Sequence, residues 1–239
     1  RNEVTGDVDV QLDSARLEAG DDISVDVRSE ASIGALVDGI VEAVGEPDGS
    51  SSPLAVNSVI ATNMVLNTAR VGFENGIAIA AGAIAITAES PSKIMAENRA
   101  VVTSDGVAAG VVLAFNSVGV KTANLFEAGA SALLGKVLGT AVPAGSDVSV
   151  IGSRIKAGGD ININAGTGKD ADGLGALISA SIANEATAGE AAAASLVLAT
   201  NTISARNRAL VAAYPEADAR RQDLDAPQVE ITAAGALTI

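Results

Sequence analysis

Apolar and polar residues alternate in short phrases that return along the chain. The phrases are LEAGDDISVDV (17–27), IAAGAIAITA (79–88), IKAGGDININA (155–165) and ITAAGALTI (231–239). Each carries an Ala-Gly pair, then apolar positions spaced by two: Ile23 and Val25, Ile84 and Ile86, Ile161 and Ile163, Leu237 and Ile239. Period-two alternation with β-branched residues predicts strands. The glycine predicts a bend between strands. A second periodicity competes locally. In IGALVDGIVEAV (33–44), Ile33, Leu36, Val37, Ile40, Val41 and Val44 fall at helical spacing, and FEAGASALLGKVLG (126–139) does so less cleanly. Glycines interrupt both, each costing about 1 kcal/mol against alanine in a helix interior. One or two short helices are therefore expected only as decorations on a strand-built chain.

The phrases belong to a larger repeat. Gly20 and Gly158 are 138 residues apart, and Asn63 in SVIATNMVLNTARV and Asn201 in SLVLATNTISARNRALV have the same separation. Between these landmarks IGALVD (33–38) matches LGALIS (174–179) after a three-residue slip. DVDVQLDSARLEAG (7–20) matches DVSVIGSRIKAG (147–158) after a two-residue deletion. A weaker copy begins at Gly82 and places Asn116 of VVLAFNSVGVKTANLF where Asn63 stands in the first. Fixed phrases with variable spacing are the mark of a stacked repeat architecture. The expected fold is all-β: a right-handed parallel β-solenoid (β-helix) of imperfect repeats, with room for one or two short helical insertions. Residues 1–239 are read as one repeat-built segment, with a unit at about 20–157 and a second copy from 158. With no polar capping segment at the final phrase, the array is expected to continue on both sides. The stretches 45–53 and 212–228, rich in proline and charge, read as surface insertions.

Why asparagine recurs inside an apolar phrase has two readings. In stacked parallel strands equivalent residues lie about 4.8 Å apart, so an inward asparagine can donate its amide hydrogen to the carbonyl oxygen of the next, forming a ladder. Asn63, Asn116 and Asn201 would then satisfy one another within an apolar wall. The alternative places each at an exposed turn, where left-handed backbone favours asparagine.

Composition narrows the chemistry. The 239 residues hold 15 Lys plus Arg against 29 Asp plus Glu, a net charge of -14, with the basic residues scattered. Nucleic acid is a poor partner for such a surface. Aromatic residues make up 2% of a chain that is 48% hydrophobic, so Ala, Val, Ile and Leu must fill the interior. Cysteine and histidine are absent, which removes thiolate nucleophiles, histidine relays, histidine zinc sites and disulfides. No apolar run is long enough for a transmembrane helix. The best calcium candidate, GKDADG (168–173) with Asp170 and Asp172, lacks the remaining ligands of known calcium loops. Asp22 and Asp160, just after the bends, are expected to hydrogen-bond their own backbone. Acid pairs suited to glycoside hydrolysis, Glu216 with Asp218 and Asp223 with Asp225, sit in the charge-rich insertion with only Tyr214 as a sugar platform. Phosphate-cradling and nucleophile-elbow motifs are missing. No catalytic, cofactor-binding or metal residue is assigned, and no enzyme or cofactor is expected; calcium alone stays open, without a full motif to support it.

The phrases AGDDISVDVRSEASI, AVNSVIATNMVLNTARV and GVVLAFNSVGVKTANLFEAGASALLGKVLG resemble the repeat regions of very large secreted bacterial adhesins, the filamentous-haemagglutinin-like surface proteins. The resemblance covers most of residues 7–211. It implies a secreted, elongated parallel β-solenoid serving as stalk or fibre at the cell surface. Its partners would be neighbouring repeats, other copies of itself or surface polysaccharide. The 212–228 insertion departs from that pattern. A carbohydrate-binding or carbohydrate-cleaving β-helix is the alternative, weakened by the scarcity of aromatics. Ice binding ranks last, because the threonines are not regularly spaced.

Overall fold

A computed structural model describes residues 1–45, 53–121, 140–142, 144–169, 177–189, 192–213 and 229–239. Among them the chain is all-β, and it passes through the same sheets again and again. The first circuit is β1 (Asn2–Asp13), β2 (Arg16–Ala19), β3 (Ile23–Arg28) and β4 (Ala31–Ala43). The second is β5 (Leu54–Glu74), β6 (Ile77–Ala80), β7 (Ile84–Glu89) and β8 (Ser92–Ser104). The third splits its long strand: β9 (Val107–Val118) is followed by the antiparallel pair of β10 (Val120–Lys121) and β11 (Thr140–Ala141) before the strand resumes. It continues as β12 (Ala144–Ile151), β13 (Arg154–Ala157), β14 (Ile161–Gly166) and β15 (Leu177–Ala188). The fourth contributes β16 (Ala193–Ile203), β17 (Ala205–Ala212), β18 (Glu230–Ala233) and β19 (Leu237–Thr238).

Every circuit pairs in parallel with the one before it. β1 runs beside the second half of β5 and β12 beside its other edge, with β17 beyond; β9 pairs with the first half of β5, and β16 follows. Three further sheets run in the orders β18-β13-β6-β2, β19-β14-β7-β3 and β15-β8-β4. The register explains the phrases. Ile23 stands level with Ile84, Ile84 with Ile161 and Ile161 with Leu237. Alternate side chains of one strand point to opposite faces, so these columns build a wall of Ile84, Ile86, Ile161, Ile163, Ile155 and Phe73, all buried. A core of stacked β-branched residues needs few aromatics, which accounts for the composition.

Three expectations change in detail. The segment 33–44 is not helical: residues 31–43 form β4, and no helix occurs among the described residues. Its helical spacing coexists with a period-two face in which Ile33, Ala35, Val37 and Val41 point inward. Leu36, Ile40 and Val44 are left exposed. Pairing with β8 along the whole length decides between the two periods. The 126–139 segment lies outside the described residues. Secondly, Ile33 stands level with Ile94 and Ile178, not with Leu174, so the sequence match in this sheet is out of register by four. An even slip keeps every side chain on its face and is therefore invisible to alternation. Thirdly, the bends align as Gly20, Ala81, Gly158 and Ala234, one residue earlier than the Ala-Gly match at Gly82 and Gly235.

The 138-residue separation spans two circuits, with Asn116 in the circuit between Asn63 and Asn201. Gly119 lets the long strand of the third circuit break. Its φ is +72°, and a Cβ there would lie 1.8 Å from the Ser204 carbonyl oxygen. Only glycine fits both demands.

Candidate functional site

The asparagines form a ladder. Asn63 Nδ2 donates to Asn116 Oδ1 at 2.8 Å, and Asn116 Nδ2 donates to Asn201 Oδ1 at 2.9 Å. A fourth rung, absent from the sequence reading, is Asn2, whose Nδ2 donates to Asn63 Oδ1 at 2.8 Å. The signal for it was the 61-residue interval between the first two circuits. The two middle asparagines are 0% and 2% exposed, whereas Asn2 and Asn201 are exposed at the ends of the ladder. Each amide is both donor and acceptor, so the polar column is satisfied inside an apolar wall and the turn reading is set aside.

Other interior asparagines work differently. Asn57 Nδ2 crosses the core to donate to Gly39 O at 2.8 Å, occupying the space a side chain on Gly39 would need. Asn184 does the same toward Gly110 O at 3.3 Å from the opposite wall. Asn67 Nδ2 donates to Ser29 O, and its Oδ1 accepts from Ser92 Oγ. Asn98 is the exception: it is 0% exposed, between Val37 and Ile182 on the neighbouring strands, and neither amide atom has a hydrogen-bond partner among the described residues.

The aspartates at the bends bond onward, not to their own backbone. Ala83 N donates to Asp22 Oδ1 at 2.6 Å, and Ala236 N donates to Asp160 Oδ1 at 2.7 Å, each from the following circuit. They are links between circuits. Asp26 accepts from the Ser24 and Thr87 hydroxyls, which hold its carboxyl below the usual carboxylate range against a smaller opposing effect of burial. Groups of three or more acidic side chains placed to hold a metal are absent among the described residues. Asp170, Asp172, Glu216, Asp218, Asp223, Asp225 and Tyr214 lie outside them.

The outer wall carries charges in columns. Asp9, Arg70, Asp147 and Arg208 stand level on successive strands with alternating sign, and Arg208 Nε donates to Asp147 Oδ2 at 3.0 Å. Arg154 pairs with Glu230 at 2.8 Å, and Arg28 with Glu89 at 2.6 Å. Elsewhere the wall is apolar and open: Leu54, Val56, Ile60, Val107 and Leu196 are exposed on the outer face of β5, β9 and β16. The free side of the first circuit exposes a hollow lined by Val10, Leu12, Leu17, Ile23, Val25 and Val27. The arrangement offers ladders, columns and open strand edges for contact with another surface. No helix among the described residues is long and apolar enough to cross a membrane. No family model, curated protein or solved structure matches this chain.

Proposed function

We propose that the chain is a structural segment of a secreted bacterial adhesin or extracellular filament: a right-handed parallel β-solenoid that gives a stiff scaffold for surface attachment or self-assembly. The observation that carries this reading is the unbroken asparagine ladder through four successive circuits. A feature repeated once per circuit serves the stack as a whole, whereas a catalytic group is needed once. An acidic exterior, with a net charge of -14, keeps such a stack soluble. Circuits rise about 4.8 Å each, so four amount to only about 19 Å, while a strand as long as β5 spans about 70 Å. These four circuits are broader than they are tall. A rod of useful length needs many more of them, which suits a repeat segment and gives no advantage to a compact enzyme.

Electron micrographs of the purified protein, combined with cleavage assays on neutral and acidic extracellular polysaccharides, test the proposal. Rods or fibres without cleavage are the expected result. Compact monodisperse particles that degrade a polysaccharide would replace it with the carbohydrate-active reading.

A further inference from the structure

The two ends of the stack are complementary to each other. Consider what a further circuit would meet below β17, β18 and β19 if it began again with β1, β2 and β3 in the register the internal circuits use. Extending the observed columns places Asp9 next to Arg208, Asp7 next to Arg206 and Arg16 next to Glu230. All six side chains are exposed. Each contact has opposite charges, and none of the extended pairs brings like charges together. The Asp9–Arg70–Asp147–Arg208 column would keep its alternation across the junction, and Glu230 would face arginine on both sides.

The asparagine ladder has the matching polarity. Its bonds all run from one circuit to the next, so Asn201 Nδ2 is left as the donor at one end and Asn2 Oδ1 as the acceptor at the other. The bends supply the phase. Gly20, Ala81, Gly158 and Ala234 alternate, as do Asp22, Ala83, Asp160 and Ala236, so the pattern repeats every two circuits. These residues hold two whole periods, and a new start at Gly20 and Asp22 follows Ala234 and Ala236 in step. The hollow lined by Val10, Leu12, Leu17 and Ile23 would be covered by Ala209, Val211, Ile231 and Leu237, their column partners at the other end.

We propose that the β1–β2–β3 edge of this chain binds the β17–β18–β19 edge of a second copy, head to tail. This rests on the scaffold reading and names the partner and the register. The wing of β4, β8 and β15 has no strand in the last circuit among the described residues and adds nothing to the junction.

Sedimentation velocity over a concentration series tests it, with charge reversals at either edge: D7K with D9K on the first, R206E with R208E on the last. Wild-type protein should grow with concentration, and less so at high salt. Each double variant alone should associate about tenfold more weakly or worse, since like charges then face each other. Mixed, the two should assemble again as alternating copies, because Asp7 and Asp9 of one variant face Arg206 and Arg208 of the other, and the substituted lysines face the substituted glutamates. The chain carrying all four substitutions should associate again. Ser24→Pro gives an independent block: Ile23 N–H points to Ala83 O of β7, so the Ser24 N–H, one residue on, faces the free edge. Proline is tolerated on an edge strand in that position. Its melting temperature should fall by no more than loss of the exposed Ser24–Asp26 bond explains, while association is lost. A mixture that stays monomeric, failure of the fourfold variant to recover, or assembly indifferent to every reversal overturns the junction. So does a monomeric wild type, which leaves the scaffold reading standing, because that reading falls only on polysaccharide cleavage by compact particles.

Discussion

Asn116 and Asn98 are both buried asparagines on inner strands, and replacing each by valine should move stability in opposite directions. Asn116→Val removes a bond to Asn201 and the acceptor for Asn63. Asn201 is exposed and recovers its bond from water, but Asn63 is fully buried and its Nδ2 is left without a partner. A lost bond contributes about 1 kcal/mol and a buried orphan costs about 1–3 kcal/mol. Valine returns part of this as buried apolar surface, so the net loss should be about 2 kcal/mol. Asn98 has no bond to lose. Asn98→Val removes an unsatisfied amide and places a β-branched side chain level with Val37 and Ile182, for a gain of about 1 kcal/mol or more. Urea unfolding, read as midpoint shifts at constant slope, measures both. Equal destabilisation by the two substitutions would refute the argument, because it would mean that Asn98 is as well bonded as the ladder. Two neutral results would refute it as well, since the ladder would then carry no weight.

Further expectations follow from single contacts. Gly119→Ala should destabilise by well over 1 kcal/mol, through positive φ and the close Ser204 carbonyl; an unshifted thermal midpoint would show that the strand break can relax. Asp22→Ala removes the acceptor for Ala83 N and should lower stability by about 1 kcal/mol in thermal melts, with a similar loss for Asp160→Ala at Ala236 N. The Asp26 carboxyl is depressed below its ordinary value of 3.8 by the Ser24 and Thr87 hydroxyls. The folded state therefore binds that proton less readily than the unfolded chain, and the stabilisation is complete above the ordinary value and lost as pH falls through the depressed one. Asp26→Asn should flatten that part of the acid-unfolding curve, and an unchanged curve would remove Asp26 from the account.

Strand content and the inner columns were legible because alternation of apolar residues is a local property. Ile23, Ile84, Ile161 and Leu237 could be matched by eye, and each stands level with the next. The ladder of Asn63, Asn116 and Asn201 was one of two open readings, since a side chain's partner on another strand leaves no mark in its own neighbourhood. Asn2 was missed for want of a flanking phrase. The 33–44 segment carried both periods at once, and only the partner strand chose between them.

What the sequence alone determined is therefore the strand-forming phrases, their recurrence and the absence of histidine and cysteine with their chemistry. All of these are properties of residue type and of spacing within a few positions. Register belonged to the tertiary structure: the one-residue shift at Gly82, the four-residue shift at Ile33, the alternating Asp9–Arg70–Asp147–Arg208 column and the onward bonds of Asp22 and Asp160. The physical reason is that parallel strands here pair residues 53 to 85 positions apart along the chain. At that distance the best alignment is chosen by summed packing and hydrogen bonding along the whole circuit, not by the letters of any one phrase.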